Sequence, residues 1–107
     1  MFDKASATDF KIVLDKIEMK TRAYGEKTLM SEFRLQKSAQ LPRHNHPHEQ
    51  IGYLVSGQMK LTIGKETFLV EAGDSWCIAA DVEHEAVALE DSLAIEVFSP
   101  LREDYLP

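Results

Sequence analysis

A single cysteine, Cys77, stands in a chain of 107 residues, so no intramolecular disulfide framework is available, and this usage matches a reducing compartment. No apolar stretch approaches the ~20 residues of a membrane span, and the start Met1-Phe2-Asp3-Lys4-Ala5 lacks a basic region followed by an apolar run. These absences predict a cytoplasmic protein with no membrane as partner. Positive charge is also short. With 12 basic against 18 acidic residues the net charge is −6, which argues against nucleic acid and opposes long-range steering of an anionic ligand. There is no internal repeat, low-complexity stretch, basic patch or DNA-binding helix pattern. Cys77 has neither a base nor a positive charge beside it in Ser75-Trp76-Cys77-Ile78, so it is expected to pack in the core rather than act as a nucleophile.

What remains is ordinary for a globular protein: 44% hydrophobic and 28% charged residues, at the length of one domain. Short alternating segments separated by turns predict an all-β chain. The strands are expected near Lys11–Leu14, Glu18–Ala23, Thr28–Gln36, Gln50–Val55, Gln58–Ile63, Glu66–Val70, Asp74–Ile78, Glu85–Leu89 and Leu93–Phe98. Ser56-Gly57, Gly64-Lys65 and Ala72-Gly73 supply turns, and the regular spacing argues for a sandwich or barrel. Residues 1–10 read as a short helix or an arm, and Leu41-Pro42-Arg43 as irregular chain. Alternation places Leu29, Phe33, Leu35, Ile51, Tyr53, Val55, Leu61, Ile63, Phe68 and Val70 in the core. Trp76, Ile78, Val87, Leu89, Ile95 and Val97 join them, with Tyr53 and Trp76 as alternative pocket-lining residues.

All four histidines fall in two places, His44-Asn45-His46-Pro47-His48-Glu49-Gln50 and His84. Imidazole is the commonest metal ligand, and an H-x-H pair on extended backbone projects both rings to one side. Gln50, four residues past His46, keeps that parity, whereas Glu49 points oppositely. The expected metal ligands are therefore His44, His46, Gln50 and His84. Pro47 permits a local bend that turns His48 outward, which makes it a rim candidate for substrate contact.

These residues resemble the cupin superfamily, whose motifs are G-x5-H-x-H-x3,4-E-x6-G and G-x5-P-x-G-x2-H-x3-N. The first motif is carried here by His44, His46, Gln50 and Gly57, and the second by Gly73, Ala79, Asp81 and His84. Ser38 replaces the leading glycine, Gln50 the glutamate, Ala79 and Asp81 the proline and glycine, and Ala88 the asparagine. The stretch Phe98-Ser99-Pro100-Leu101-Arg102-Glu103-Asp104-Tyr105, together with H-x-H-P-H-E-Q, is similar to the small single-domain cupins of pectin and alginate breakdown. The resemblance runs from about Arg34 to Tyr105. It implies a cupin double-stranded β-helix, or jelly-roll barrel, as one domain over residues 1–107. Within it, an N-terminal arm and strands occupy about 1–25, the barrel 28–98 and a tail 99–107. It also implies a homodimer and conversion of 4,5-unsaturated monouronates to linear ketouronates, while the imidazole and oxygen donors themselves suit a divalent ion (Zn, Ni, Mn or Fe).

Three neutral imidazoles and one amide oxygen add no formal charge to a divalent ion, which stays a strong Lewis acid and is disfavoured from the higher oxidation states of redox chemistry. Isomerase or hydrolytic lyase-like chemistry is therefore expected over a small-molecule dioxygenase. A non-catalytic sugar- or metal-binding module is the reading from another class. An unsaturated uronate must take a proton at C4 and become electrophilic at C5, where water adds and the ring opens. Glu96 shares parity with Phe98 in the last strand and is the candidate proton carrier; an exposed Glu96 is the alternative. The resemblance carries an acid there, usually aspartate. Arg102 can form a bidentate pair with a substrate carboxylate, or stand solvated in a charged tail; the resemblance favours the ligand role. Phe98 is expected to wall the pocket and Tyr105 to donate from its rim.

Overall fold

Alternating residues punctuated by glycine turns become ten strands in the computed structural model, which describes residues 1–107. They are β1 (Lys11–Leu14), β2 (Ile17–Tyr24), β3 (Leu29–Leu35), β4 (Gln40–His44), β5 (Glu49–Ser56), β6 (Gln58–Ile63), β7 (Glu66–Glu71), β8 (Ser75–Ile78), β9 (His84–Ala88) and β10 (Ser92–Ser99). The only helix is a single 3₁₀ turn at Glu103–Tyr105, and no helix is long and apolar enough to cross a membrane. Six strands form one sheet in the order β1-β2-β3-β10-β5-β8, and four form the other, β4-β9-β6-β7. All pairings are antiparallel. The two sheets enclose a jelly-roll barrel, as expected.

Left-handed backbone sits where the resemblance expects glycine, even where glycine has been replaced. Ser38 holds φ 75° and Asp81 φ 66°. Aspartate tolerates this conformation better than most residues, and serine less well. Gly57 keeps its glycine because φ is 97° and a Cβ there would overlap Ser92 and the Asp91 carbonyl.

The interior holds Ile17, Leu29, Leu35, Leu54, Ile78 and Phe98, all buried. Several residues expected inside lie outside. In β5 the inward positions are Gln50, Gly52 and Leu54, so Ile51 (54% exposed), Tyr53 and Val55 face outward. In β9 the inward set is His84, Ala86 and Ala88, which leaves Val87 half-buried, as is Leu89 just beyond the strand. Ile95 and Val97 are half-buried on the outer side of β10, while Ala94, Glu96 and Phe98 alternate with them. Phe68 is exposed on the edge strand β7. Cys77 is exposed because its neighbours Trp76 and Ile78 take the inward positions of β8. One physical reason covers most of these corrections. Inward positions around a hollow centre carry polar or small residues, so the larger apolar member of each alternating pair is left on the outer face.

Leu41-Pro42-Arg43, expected to be irregular, lies within β4. Pro42 is tolerated because β4 is an edge strand with a register irregularity between Leu41 and His44. Residues 1–10 contain no regular element and run as an arm. Arg22 pairs with both Asp3 (2.5 Å) and Glu32 (2.7 Å), and the Arg34 guanidinium lies 3.8 Å from the centre of the Phe10 ring. Phe2 remains exposed.

Candidate metal centre and active site

A cavity opens between the sheets, its floor apolar through Leu35, Met59, Leu61 and Ala86 and its upper part polar. The four-stranded sheet supplies two of the histidines. His44 ends β4 and His84 begins β9, and the two are cross-strand partners, which brings their ring centres to 4.2 Å. His46 lies beyond the end of β4, in the link to β5, rather than on extended strand as the H-x-H argument assumed. That link is pinned by the Asp81 N–H donating to the His46 carbonyl (2.8 Å). The three rings converge all the same, with one ligand atom from each within 4.8 Å of the others.

Backbone carbonyls orient each ring. Nδ1 of His44 faces the Pro42 carbonyl at 2.7 Å, that of His46 the His48 carbonyl at 3.0 Å, and that of His84 the Val82 carbonyl at 2.9 Å. In the neutral rings the proton therefore sits on Nδ1 and donates outward, which leaves the Nε2 lone pairs for a metal. Burial lowers the pKa of His46 and pushes that of His84 down to about 4, so both rings are neutral at physiological pH. His84 Nε2 is buried and has no hydrogen-bond partner. His46 Nε2 lies 2.7 Å from the Gln50 Oε1. With the His46 proton on Nδ1 that contact brings two acceptors together, which a shared cation relieves. The donor set thus fits a divalent ion, with His44, His46 and His84 as nitrogen ligands and Gln50 adding an oxygen.

The six-stranded sheet supplies the rest of the polar groups. Gln50, from β5, donates through Nε2 to the Glu96 carboxylate at 3.0 Å, which fixes the amide with its oxygen towards His46. Glu96 does face the cavity. Burial pushes its pKa up to about 7, against a smaller opposing effect of the hydrogen bond from Gln50, and the Trp76 indole also lies nearby. Glu96 is thus poised to exchange a proton near neutral pH.

Phe98 is 2% exposed and packs edge-on against His46, with ring centres 5.8 Å apart, as an apolar wall. Arg102 also lines the cavity, with its guanidinium 3.9 Å from the centre of the Tyr105 ring. It is already engaged: Nε and Nη2 donate to the two Asp104 oxygens at 3.1 and 2.7 Å. The same contact holds the Asp104 carboxyl below its usual range. Tyr105 lines the cavity, with its hydroxyl pKa raised by burial, and its carbonyl accepts from Thr21 Oγ1 on β2, tying the tail to the sheet. His48 is the expected site residue that does not line the cavity. Its ring lies tilted against that of His46, with centres 5.5 Å apart, and its contribution is the carbonyl that orients the His46 ring.

Of the two core residues with pocket lining as their alternative reading, Trp76 lines the cavity and Tyr53 faces outward. Gly52, in mid-strand, lies against the Trp76 indole so closely that a Cβ would overlap it. A glycine inside an otherwise apolar strand was the available signal for such a close approach.

No curated protein sequence matches this chain. Among solved structures, KdgF from Halomonas sp. superposes with a TM-score of 0.94 at 32% identity, over 99% of this chain and 98% of that one. An RmlC-like cupin from Shewanella frigidimarina gives a TM-score of 0.93 at 25% identity, over 98% of this chain and 95% of that one. A predicted oxalate decarboxylase from Thermotoga maritima shares the fold alone, with a TM-score of 0.82 at 16% identity over 94% of this chain and 100% of that one. The sequence profile described as "Cupin domain" matches residues 31–99, and with the histidine frame and the jelly roll this makes the chain a member of the cupin family.

Proposed function

We propose that the protein is a metal-dependent enzyme that converts 4,5-unsaturated monouronates to linear ketouronates. The observation that carries this reading is the chain of contacts from His46 through Gln50 to Glu96, which links a cavity-facing acid to a three-histidine, one-amide donor set. Similarity along the whole chain to KdgF from Halomonas sp., together with the resemblance of the H-x-H-P-H-E-Q and Phe98–Tyr105 stretches to the cupins of pectin and alginate breakdown, supports the substrate class.

When bound, a divalent ion supplies Lewis-acid polarisation of the substrate's oxygens without adding redox chemistry. His44, His46, His84 and Gln50 would hold it. Glu96 in its acid form donates a proton to C4, leaving C5 electron-poor. Water attacks C5 and gives one proton to the Glu96 carboxylate; the bond from C5 to the ring oxygen then breaks as the C5 hydroxyl becomes a ketone and its proton passes to the ring oxygen. The ring oxygen departs on C1 as an aldehyde hydrate, which loses water, so the net change is an isomerisation. Phe98 and the apolar floor limit bulk water, and Arg102 binds the substrate carboxylate at the mouth, sharing its guanidinium with Asp104. Tyr105 shapes that rim.

The test is the decay of the ultraviolet absorbance of the conjugated double bond in unsaturated galacturonate, with metal-loaded protein and a chelated control. Chelator-sensitive decay above the spontaneous rate is expected. Decay at the spontaneous rate by protein with its metal bound would refute the reading. We also read the chain as a homodimer, supported by the family resemblance and by the exposed Ile51, Tyr53 and Val55 on the outer face of β5. Sedimentation giving a monomer at micromolar concentration would refute that.

A further inference from the structure

One transverse row of the six-stranded sheet explains why Trp76 lies where it does. Register aligns Thr21 with Ser31, Ser31 with Glu96, Glu96 with Gly52, and Gly52 with Trp76, so five strands present these positions side by side. Glu96 is thus flanked by the two smallest members, Ser31 and Gly52. Because Gly52 has no side chain, the indole of Trp76 lies across β5 and comes close to the Glu96 carboxylate, two strands away. Any Cβ at position 52 would occupy the space of Trp76 Nε1, Cε2 and Cζ2. The indole N–H is buried and has no partner in hydrogen-bond geometry, while the Glu96 carboxylate has one donor, Gln50, on Oε2. A buried donor left unmet is unfavourable, and an acceptor with a free oxygen stands beside it.

We propose that Trp76 is a positioning residue for Glu96, its indole N–H entering over Gly52 to give the carboxylate a second donor beside the Gln50 amide. With two donors the carboxylate has one orientation rather than a rotamer range, and its proton is delivered along one line into the cavity. The kinetic consequence rests on the uronate reading. The contact itself does not.

Trp76 is the only tryptophan, so the protein has one indole N–H resonance, and contact and catalysis can be read separately. In the ¹H–¹⁵N spectrum of metal-loaded protein the resonance should lie downfield with slowed hydrogen exchange, and Glu96→Ala should reverse both. A resonance with free-indole shift and exchange in the unsubstituted protein would overturn the proposal, whatever the substrate is. In kinetics, Trp76→Phe keeps an aromatic ring over Gly52 and removes the N–H. It should lower kcat about tenfold, with KM and metal content unchanged. Gly52→Ala, which evicts the indole, should show a comparable kcat loss and a shifted fluorescence maximum. In a Glu96→Gln background, Trp76→Phe should cost nothing further. Unchanged kcat in Trp76→Phe, or an undiminished loss in the double variant, would leave Trp76 as packing alone. Absence of uronate turnover by the unsubstituted protein would refute the function proposed above, while the resonance would still decide the contact.

Discussion

The two sheets face each other across one cavity and bring different chemistry to it. The four-stranded sheet carries His44 and His84, whose Nδ1 atoms are spent on the carbonyls of Pro42 and Val82, and below them Leu61 and Ala86. The six-stranded sheet carries Gln50, Glu96 and Trp76, linked side chain to side chain or nearly so. One wall can hold an ion and the other can hold a proton. Gln50 belongs to the second wall by strand and to the first by contact, since its oxygen meets His46 and its nitrogen meets Glu96. An amide can serve both because it accepts at one end and donates at the other. A glutamate, the residue usual in the resembling motif, would set two carboxylates against each other there.

Breaking the metal wall should have the largest effect. His84→Ala or His46→Ala is expected to abolish metal retention with the β fold kept, a loss beyond the roughly 10–100-fold that altering outer partners costs. Metal content and circular dichroism together check it; full metal stoichiometry in either variant would dissolve the centre. Breaking the proton wall should leave the metal in place: Glu96→Gln is expected to lower kcat by about 10²–10⁴-fold at unchanged metal content. Gln50→Glu sharpens the comparison at the residue the walls share. It should retain metal yet lower kcat by roughly 10–100-fold, because a second carboxylate beside Glu96 disturbs its proton exchange. Activity equal to the unsubstituted protein would show that the amide is not the link.

At the mouth, Arg102→Ala should raise KM for an acidic sugar about tenfold, with metal retained. Unaltered kinetics would leave Arg102 as the partner of Asp104 only. The smallest effect is on stability. In metal-free protein the Glu96 pKa is raised from the ordinary 4.5 to about 7, so the folded state binds the proton more tightly than the unfolded chain. Its contribution is therefore fully present below about 4.5 and is lost as pH rises through about 7. Chelated Glu96→Gln should lack this decline, diverging from the parent by on the order of 2 kcal/mol across that window in urea titrations. Parallel curves would mean that Glu96 is solvated.

The histidine frame was legible because its spacing survives changes in backbone detail. His46 leaves the strand, yet its ring still converges with those of His44 and His84. Gln50 was legible by parity, and the same parity, carried two residues on, excludes Ile51 and Tyr53 from the core. Alternation of hydrophobicity pointed the other way and was misleading there. Glu96 and Phe98 followed from one strand's alternation. Arg102 was legible as a cation in the right stretch, but not as one already held by Asp104, since that pairing depends on how the tail turns after Ser99. The close approach of Trp76 to Gly52 escaped notice because it crosses strands, and no spacing along the chain encodes it.

By itself the sequence determined an all-β chain and the positions of nine of its ten strands, and it offered a candidate donor set of three imidazoles with an amide. These rest on local periodicity and residue chemistry, which act over a few residues. Only the tertiary structure decided which large apolar residues are left outside: a hollow barrel reserves its inner face for what the cavity needs, so Val87, Ile51, Tyr53 and Ile95 stand on the outer faces of the strands that carry His84, Gln50, Gly52 and Glu96. It alone also laid Trp76 across Gly52, since register between strands is set by the packing of the whole sheet and not by any one of its strands.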